Sequence, residues 1–288
     1  MKNKRENFLN KSSRRGFLKA AGISAAAIGI GAAPAIKAVS IASGGGDAVS
    51  NMPVTTPKAE VLKAKRWGMV IDTSKITDEV VEGVVAACRN AHNIPDFDHK
   101  PDEKKYPNTR PVNKTQEIKW IWEEHYKYAF PEMEDEFLAD KFKSLPFLVT
   151  CNHCKNAPCV QACPTKATFK REDGIVIMDF HRCIGCRFCM AACPYGSRSF
   201  NFRDARPFIE KINPEFPVRS KGVVEKCNLC AERLERGLQP ACVEASEGGI
   251  VVGDLEDPES EVRALLKENY AIRRKQELGT EPSVYYIM

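Results

Sequence analysis

The sequence predicts an α+β fold in which small repeated modules are separated by insertion loops. Short apolar runs at residues 147–150, 175–178 and 199–202 alternate with segments rich in cysteine. Runs of this length bounded by turn-forming residues are typical of short strands. The polar, proline-containing stretch 96–114 lacks the alternation and predicts an insertion loop. The repeated order of strand and cysteine segment therefore predicts tandem modules built to one plan.

Composition limits the classes of protein that the chain can belong to. It has 288 residues, of which 43% are hydrophobic and 28% are charged. This length suffices for one or two compact cores, and the charge content excludes an integral membrane protein. Residues 1–38 carry eight Lys or Arg against Glu6, so the remainder has 35 basic and 37 acidic residues. A near-neutral body lacks the basic excess of a nucleic-acid-binding domain, and we expect no nucleic acid partner.

The first 38 residues predict an export signal. A basic region precedes the stretch 20–36, which is rich in Ala and Gly and too weakly hydrophobic for a stable membrane span. Residues 13–19 resemble the twin-arginine signal at every position of its motif. The resemblance implies export of a folded protein to the periplasm or the outer face of the cytoplasmic membrane. Cleavage is expected after Ala35 or Ala38, and retention as an uncleaved anchor is the open alternative.

The body follows a predicted flexible leader at residues 39–66 and begins at Trp67. A strand is predicted at 70–72, and a helix at 77–91 because its valines fall on one face. An apolar stripe predicts a second helix within 118–130. The remaining predicted elements are a strand at 249–252 and a final helix capped by Asp257-Pro258.

The strongest pattern is a run of four cysteines with fixed spacing, Cys183-x2-Cys186-x2-Cys189-x3-Cys193-Pro194. It is the bacterial ferredoxin run, in which three cysteines bind one 4Fe-4S cluster and the fourth binds a neighbouring cluster. The two-residue gaps let a tight loop wrap three corners of a cube while its N–H groups face sulfur. Gly185 relieves crowding in that loop. The tandem modules are therefore expected to be bacterial-ferredoxin-like.

A second run lies upstream, with a longer third gap and the same ending: Cys151-x2-Cys154-x4-Cys159-x3-Cys163-Pro164. Two such runs exchange their last ligands, which predicts two clusters. Set 1 comprises Cys151, Cys154, Cys159 and Cys193. Set 2 comprises Cys183, Cys186, Cys189 and Cys163. Four of the twelve cysteines remain: Cys88, Cys227, Cys230 and Cys242.

These runs resemble those of the four-cluster iron-sulfur subunits of respiratory complexes, which include the electron-transfer subunits of dimethyl sulfoxide, polysulfide and nitrate reductases. The resemblance covers residues 67–252. In that family a first cysteine run pairs with a fourth, and the expected positions that lack cysteine here are Asp78, Val81, Val84 and Ser246. The missing ligands would together build one cluster. The resemblance therefore implies that set 3 comprises Cys88, Cys227, Cys230 and Cys242, and that the chain binds three 4Fe-4S clusters.

Residues 67–72 and 194–201, the depleted first run and Ser246 resemble one branch of that family. This branch is the periplasmic iron-sulfur subunit of the sulfite-reductase-associated transmembrane complex of sulfate reducers and sulfur oxidisers. It implies a quinone-reactive integral membrane subunit, a multihaem cytochrome c and further subunits as partners. It also implies one ferredoxin-like half at 146–202 with two clusters. The other half, 67–145 plus 203–288, would hold one.

No nucleophile triad, phosphate loop or paired-carboxylate signature stands out, so we expect a non-catalytic electron-transfer subunit. An electron-transfer subunit of a molybdopterin polysulfide or tetrathionate reductase is the alternative. Zinc is disfavoured because structural zinc sites use two separated cysteine pairs, although a structural zinc-binding adaptor stays open. Disulfides suit an oxidising periplasm, but cysteines at x2 spacing make poor scaffold bridges. His153 and His181 lie beside cysteines and are expected to tune or cover a cluster, or to face solvent.

The export signal yields the first testable prediction. Replacing Arg14 and Arg15 with Lys should leave the precursor in the cytoplasm, because the motif requires both arginines. Cell fractionation followed by immunoblotting measures this outcome. Normal export of the double variant would contradict the twin-arginine prediction.

Overall fold

The structure is a computed structural model and describes residues 60–107, 109–110 and 113–288. The predicted signal peptide and the first part of the predicted leader, up to residue 59, lie outside these ranges. The described end of the leader is hydrogen-bonded to the body. The backbone N–H groups of Lys65 and Arg66 donate to the Asp254 carboxylate at 2.7 and 3.0 Å.

Short strands and short helices alternate along the described chain. The strands are β1 (Trp67–Asp72), β2 (Ile121–Glu124), β3 (Phe147–Thr150), β4 (Thr168–Lys170), β5 (Val176–Met178), β6 (Ser199–Phe200), β7 (Val224–Glu225), β8 (Ile250–Asp254), β9 (Ala271–Ile272) and β10 (Val284–Ile287). The helices are α1 (Asp78–His92), α2 (Tyr126–Ala129), α3 (Asp140–Ser144), α4 (Pro158–Gln161), α5 (Phe188–Ala191), α6 (Ala231–Leu234), α7 (Ala241–Glu244) and α8 (Glu261–Glu268). This mixed content is that of an α+β protein. In the described part of the chain, no helix has the length and hydrophobicity needed to cross a membrane.

A mixed sheet with the strand order β8-β1-β10-β9 joins the start of the body to its last residues. β1 runs antiparallel to β8, with Met69 opposite Val252, and parallel to β10, with Met69 opposite Val284. The strand pairs β2-β3, β4-β5 and β6-β7 form three separate antiparallel ribbons. β6 lies in the predicted half at 146–202, and β7 lies in the other predicted half. The division into halves and the tandem modules stay predictions.

The long helix α1 forms for local reasons. The Thr77 hydroxyl accepts a hydrogen bond from the N–H of Val80 at 3.3 Å and caps the N-terminus. Asn93 adopts a left-handed conformation that ends the helix. Val84 and Cys88 share the buried face. The helix therefore presents Cys88 to the protein interior, as its apolar spacing predicts.

The helix predicted within 118–130 is wrong in its first half. Residues 121–124 instead form β2, which pairs with β3 so that Ile121 lies opposite Thr150. The ladder satisfies the backbone groups of this segment, and a β-branched residue next to aromatic ones suits a strand. Only the single turn α2 follows it. The helical spacing of apolar residues was outweighed by pairing with a strand that lies further along the chain.

The final helix is present, but its start differs from the expectation. α8 begins at Glu261 with Ser260 as the capping position. The Asp257 carboxylate accepts a hydrogen bond from the N–H of Glu259 at 3.0 Å, which places Asp257 in a turn that precedes the helix. The sequence analysis also missed β10, whose partner β1 lies at the other end of the body.

A buried ion pair ties α1 to the cysteine-rich part of the chain. Arg219 and Glu225 have fully buried side chains, and their charged atoms lie 2.7 Å apart. Arg219 also donates to the carbonyls of His92 and Asn93 at the C-terminus of α1. The Glu225 carboxylate also accepts from the indole N–H of Trp120 at 2.9 Å. This network fixes the end of the helix that carries Cys88.

Replacing Glu225 with Gln should lower the free energy of unfolding by about 3–5 kcal/mol, because it leaves the buried Arg219 charge without its carboxylate. Denaturant titration followed by circular dichroism under anaerobic conditions measures the change. Glu215→Gln is the matched control, since Glu215 pairs with Arg236 at an exposed site. It should cost less than about 1 kcal/mol. Equal costs for the two variants would contradict a structural role for the buried pair.

Candidate metal centres

Set 1 lies around a single cavity. Cys151 follows β3, Cys159 is on α4, and Cys193 follows α5. All four members, including Cys154, line this cavity. Burial and the neighbouring Cys151 sulfur raise the pKa of Cys154, to about 12. The structure therefore brings together the four sulfurs that run exchange predicts for set 1.

Set 2 lies nearer the surface. Cys163 and Cys189 are close enough for their charges to interact, and α4 packs against α5, which carries Cys189. Cys183 is half-buried and Cys186 is exposed, both on the loop before α5. The structure thus places the last cysteine of the upstream run beside the downstream run. This arrangement agrees with an exchange of last ligands.

Set 3 joins cysteines that are far apart in the sequence. Cys88 comes from the buried face of α1, while Cys227 and Cys230 lie before α6 and Cys242 lies on α7. Burial raises the pKa of Cys88 well above its usual value, and the other three sulfurs raise it further, in the order Cys227, Cys230 and Cys242. The structure therefore gathers the four cysteines that the family resemblance groups as set 3.

Three of the four Cys-x2-Cys segments share one backbone feature. The residue before the second cysteine has a positive φ in each: 40° at His153, 69° at Gly185 and 56° at Leu229. A left-handed residue makes a sharp turn and directs backbone N–H groups inward. The N–H of Leu229 donates to the Cys227 sulfur at 3.4 Å. These three segments therefore make the same turn before their second cysteine.

Backbone N–H groups that lie outside these loops also point towards cysteine sulfurs. The N–H of Ala241 lies 3.4 Å from the Cys230 sulfur, and that of Thr168 lies 3.5 Å from the Cys163 sulfur. At Cys163, burial raises the pKa, but the hydrogen bonds led by Thr168 bring it below its usual value. Such donors stabilise thiolates and set the properties of a bound metal group.

The donor chemistry fits a cationic metal group. Burial and sulfur–sulfur repulsion hold the pKa values of Cys88, Cys154 and Cys230 far above neutrality. Such thiols ionise when a metal cation binds. Several buried polar atoms beside set 1 also lack partners among the described residues: Nδ2 and Oδ1 of Asn152, Nε2 of His153 and Nη2 of Arg198. The twelve cysteines are all free of disulfide bonds.

The spatial order of the sets is linear. Cys227 of set 3 lies close enough to Cys151 of set 1 for their charges to interact. Cys159 of set 1 has the same relation to Cys189 of set 2. Set 1 therefore lies between the other two, and set 2 is the most exposed.

Comparisons with known proteins agree with this geometry. Residues 143–254 match the family model described as a 4Fe-4S dicluster domain. The chain is 38% identical over 249 residues to the Hdr-like menaquinol oxidoreductase iron-sulfur subunit 1 of Archaeoglobus fulgidus, covering 79% of this chain and 85% of the relative. The chain belongs to the family of 4Fe-4S iron-sulfur subunits of oxidoreductase complexes.

Two further members of the family extend the comparison. The menaquinone reductase iron-sulfur cluster-binding subunit of Nitratidesulfovibrio vulgaris is 34% identical over 247 residues, covering 77% of this chain and 88% of the relative. A subunit of the tetrathionate reductase of Salmonella typhimurium is 44% identical over 140 residues, covering 48% of this chain and 49% of the relative. The family resemblance drawn from the cysteine runs is thus confirmed.

Three of the four family positions that lack cysteine here are buried, whereas Asp78 is exposed. Val81 and Val84 are buried on α1, and Ser246 is fully buried. The Ser246 hydroxyl donates to the Val243 carbonyl at 2.8 Å and accepts from the N–H of Ile250 at 2.9 Å. The Ser246 hydroxyl is therefore hydrogen-bonded to backbone groups.

The sequence analysis did not identify three polar residues that lie near the sulfurs: His92, Glu232 and Arg198. His92 Nδ1 lies 3.8 Å from the Cys88 sulfur, and its Nε2 lies 2.9 Å from the Glu232 carboxylate. The only local signal is the spacing of four residues between Cys88 and His92 on one helix. Arg198 carries no such signal, because its place between two sets depends on the fold.

The two histidines considered from the sequence differ in their surroundings. His153 is buried, and its Nδ1 accepts a hydrogen bond from the N–H of Val176 at 3.1 Å. Burial lowers its pKa well below the usual value, and Lys226 and Arg198 lower it further. His181 is exposed. Their roles, like the ligand assignments, stay predictions.

Gly185→Ala should reduce the iron content of the protein. Gly185 has a φ of +69°, and an added Cβ at this position would lie 2.3 Å from the Gly222 carbonyl oxygen. The loop carrying Cys183 and Cys186 would have to move. Gly196→Ala is the matched control, because its φ of +66° imposes similar strain while nothing lies within 4 Å of the added atom. Iron analysis of both variants measures the difference, and full iron content in Gly185→Ala would contradict the need for this turn.

Proposed function

We propose that the chain carries three 4Fe-4S clusters, one in each cysteine set, and relays electrons through them in a membrane-bound respiratory complex. The linear order of three complete four-cysteine sets carries this proposal. A thiolate-bound cubane cluster supplies one-electron redox chemistry. The absence of a recognised catalytic constellation in the sequence supports a subunit that transfers electrons without acting on a substrate itself.

The protein's own residues perform three tasks in this relay. Twelve cysteines supply the thiolate ligands, and interleaved runs hold neighbouring sites close together. Apolar packing around sets 1 and 3 excludes water, since Cys88, Cys154 and Cys230 are all buried. Backbone N–H groups that face sulfur stabilise negative charge there. Exposed Cys186 brings one end of the relay to the surface.

The proposed partners are a quinone-reactive integral membrane subunit and a periplasmic multihaem cytochrome c. Two relatives that align with most of this chain are named for menaquinol and menaquinone reactions, which supports the quinone partner. The cytochrome, the role in sulfur or sulfate metabolism within the sulfite-reductase-associated complex, and the periplasmic location rest on the resemblance of the quoted segments and on the twin-arginine motif.

A second candidate is an electron-transfer subunit of a molybdopterin polysulfide or tetrathionate reductase. The identity of 44% to a tetrathionate reductase subunit over 140 residues favours it. The core packed at Val81, Val84 and Ser246 favours the first candidate, because a fourth cluster is expected opposite a molybdopterin subunit. Purification of the native complex decides between them. A molybdopterin subunit without a cytochrome would overturn the first candidate.

The number of clusters is tested by metal analysis of the mature protein purified without oxygen. Three cubanes predict about twelve iron and twelve acid-labile sulfide per chain, with a broad visible absorption that dithionite bleaches. Stoichiometric zinc and near-zero iron would instead establish the structural zinc-binding adaptor. Full occupancy at about eight iron, the content of two cubanes, would contradict a third cluster.

Cys88→Ala should selectively perturb the set 3 signal and lower the iron content, because its three partners cannot supply four thiolates to a cubane. Electron paramagnetic resonance of the reduced protein measures the three signals. Cys186→Ala serves as the matched control, since it removes one ligand from set 2 and should affect a different signal. Three unchanged signals in Cys88→Ala would contradict the assignment of Cys88.

A further inference from the structure

Arg198 occupies an unusual place in the described part of the molecule. It lies just before β6 and is 5% exposed. Its Nη1 donates to the Thr168 hydroxyl at 3.2 Å and lies 3.7 Å from the Met178 sulfur. Both partners are neutral. A buried guanidinium normally requires a compensating anion, as the fully buried Arg219 has in Glu225.

The anions that face Arg198 are cysteine sulfurs. Its side chain lines the cavity that set 1 surrounds, and its Nη2 is buried without a partner among the described residues. Burial disfavours its charge, but Cys159, Cys189 and Cys151 raise its pKa, in that order. Cys151 and Cys159 belong to set 1, whereas Cys189 belongs to set 2. One cation therefore interacts with sulfurs of two different sets.

The charge of Arg198 is permanent. A guanidinium keeps its protons throughout the physiological pH range, so no proton transfer at this residue accompanies electron transfer. Its planar group presents several N–H donors, and Thr168 and Met178 engage Nη1. The remaining donors are available to sulfur of either set. At set 3, burial, the other sulfurs and Glu232 raise the pKa values of Cys88 and Cys230, whereas Lys226 and Arg233 act in the opposite direction on Cys227 and Cys242. Set 3 therefore has charged neighbours of its own, of both signs.

We propose that Arg198 is a positioning residue that shares one fixed positive charge between the sites of sets 1 and 2 and thereby raises their reduction potentials relative to that of set 3. This inference rests on the proposed function, in which all three sets hold 4Fe-4S clusters. Reduction adds one electron and one negative charge to a site. A neighbouring fixed cation stabilises the reduced form, most strongly at low dielectric.

The shared position has a second consequence. When the sites of sets 1 and 2 are both reduced, their added negative charges repel each other. A cation between them offsets part of this repulsion because it attracts both. Arg198 therefore favours residence of electrons on the outer, more exposed part of the relay.

The test uses the mature protein with its clusters bound, as wild type, Arg198→Met and Arg198→Lys. Redox titration followed by electron paramagnetic resonance gives the potential of each site, and the Cys88→Ala variant identifies the set 3 signal. Arg198→Met should shift the electron distribution about tenfold from sets 1 and 2 towards set 3, equivalent to about 59 mV for a one-electron couple. Arg198→Lys keeps the charge and should restore most of the difference.

Arg206→Met is the matched control, because Arg206 is exposed and pairs with Asp204 at 3.0 Å. It should leave all three potentials unchanged. Wild-type potentials in Arg198→Met, or equal shifts at all three sites, would overturn the inference. Equal shifts in Arg198→Met and Arg198→Lys would also overturn it, because they indicate a packing effect rather than a charge effect.

Iron content separates this inference from the proposed function. A wild-type protein without iron contradicts the proposed function, whereas a fully loaded wild type with unmoved potentials contradicts only the role of Arg198. If Arg198→Met does not retain iron, Arg198→Gln provides a second neutral variant that keeps a hydrogen-bond donor. Loss of iron confined to sets 1 and 2 in both neutral variants, with iron retained in Arg198→Lys, supports the shared charge. Loss from all three sets overturns it.

Discussion

Burial of thiol sulfur is the constraint on which the rest of the structure depends. Sulfurs from distant parts of the chain meet where burial and mutual repulsion prevent their ionisation, as at Cys88 and Cys230. A bound metal group removes this penalty, and its binding energy then contributes to folding. Short helices and two-stranded ribbons can form around such centres because metal–sulfur bonds replace part of the core that a longer helix or larger sheet would provide. Folding and cofactor insertion are therefore linked.

The cysteine loops do not position Cys88, and the hydrophobic core with its large sheet does so instead. The β8-β1-β10-β9 sheet joins the start and end of the body, and α1 packs beside it. The Arg219–Glu225 pair then fixes the C-terminal end of α1 against β7. Because Cys88 lies one turn before that end, its position depends on the same network. The hydrogen bonds from Arg219 to the end of α1 thus help to position one member of set 3.

Sequence reasoning was most successful where the chemistry is local. The apolar runs at 147–150, 175–178 and 199–202 predicted β3, β5 and β6, because turn-forming residues bound each of these short strands. Sequence reasoning failed at β2 and β10, whose hydrogen-bond partners lie elsewhere in the chain. Cys88 could be grouped with set 3 only through a family pattern, since no spacing connects it with Cys227. Arg198 and Glu232 have no sequence signal, because their relation to sulfur depends on packing.

In the proposed relay, the absence of a fourth site also changes the surroundings of set 3. Val81, Val84 and the hydrogen-bonded Ser246 form a packed core at the family positions for further ligands. Such a core cannot accept an electron, so in the proposed relay set 3 becomes a terminal site. A partner at this end would meet α1 and the partly exposed Glu232, which contacts buried His92 beside the Cys88 sulfur. In the proposed relay, this core stands in place of a cluster, which shortens the relay and alters the groups that a partner must recognise.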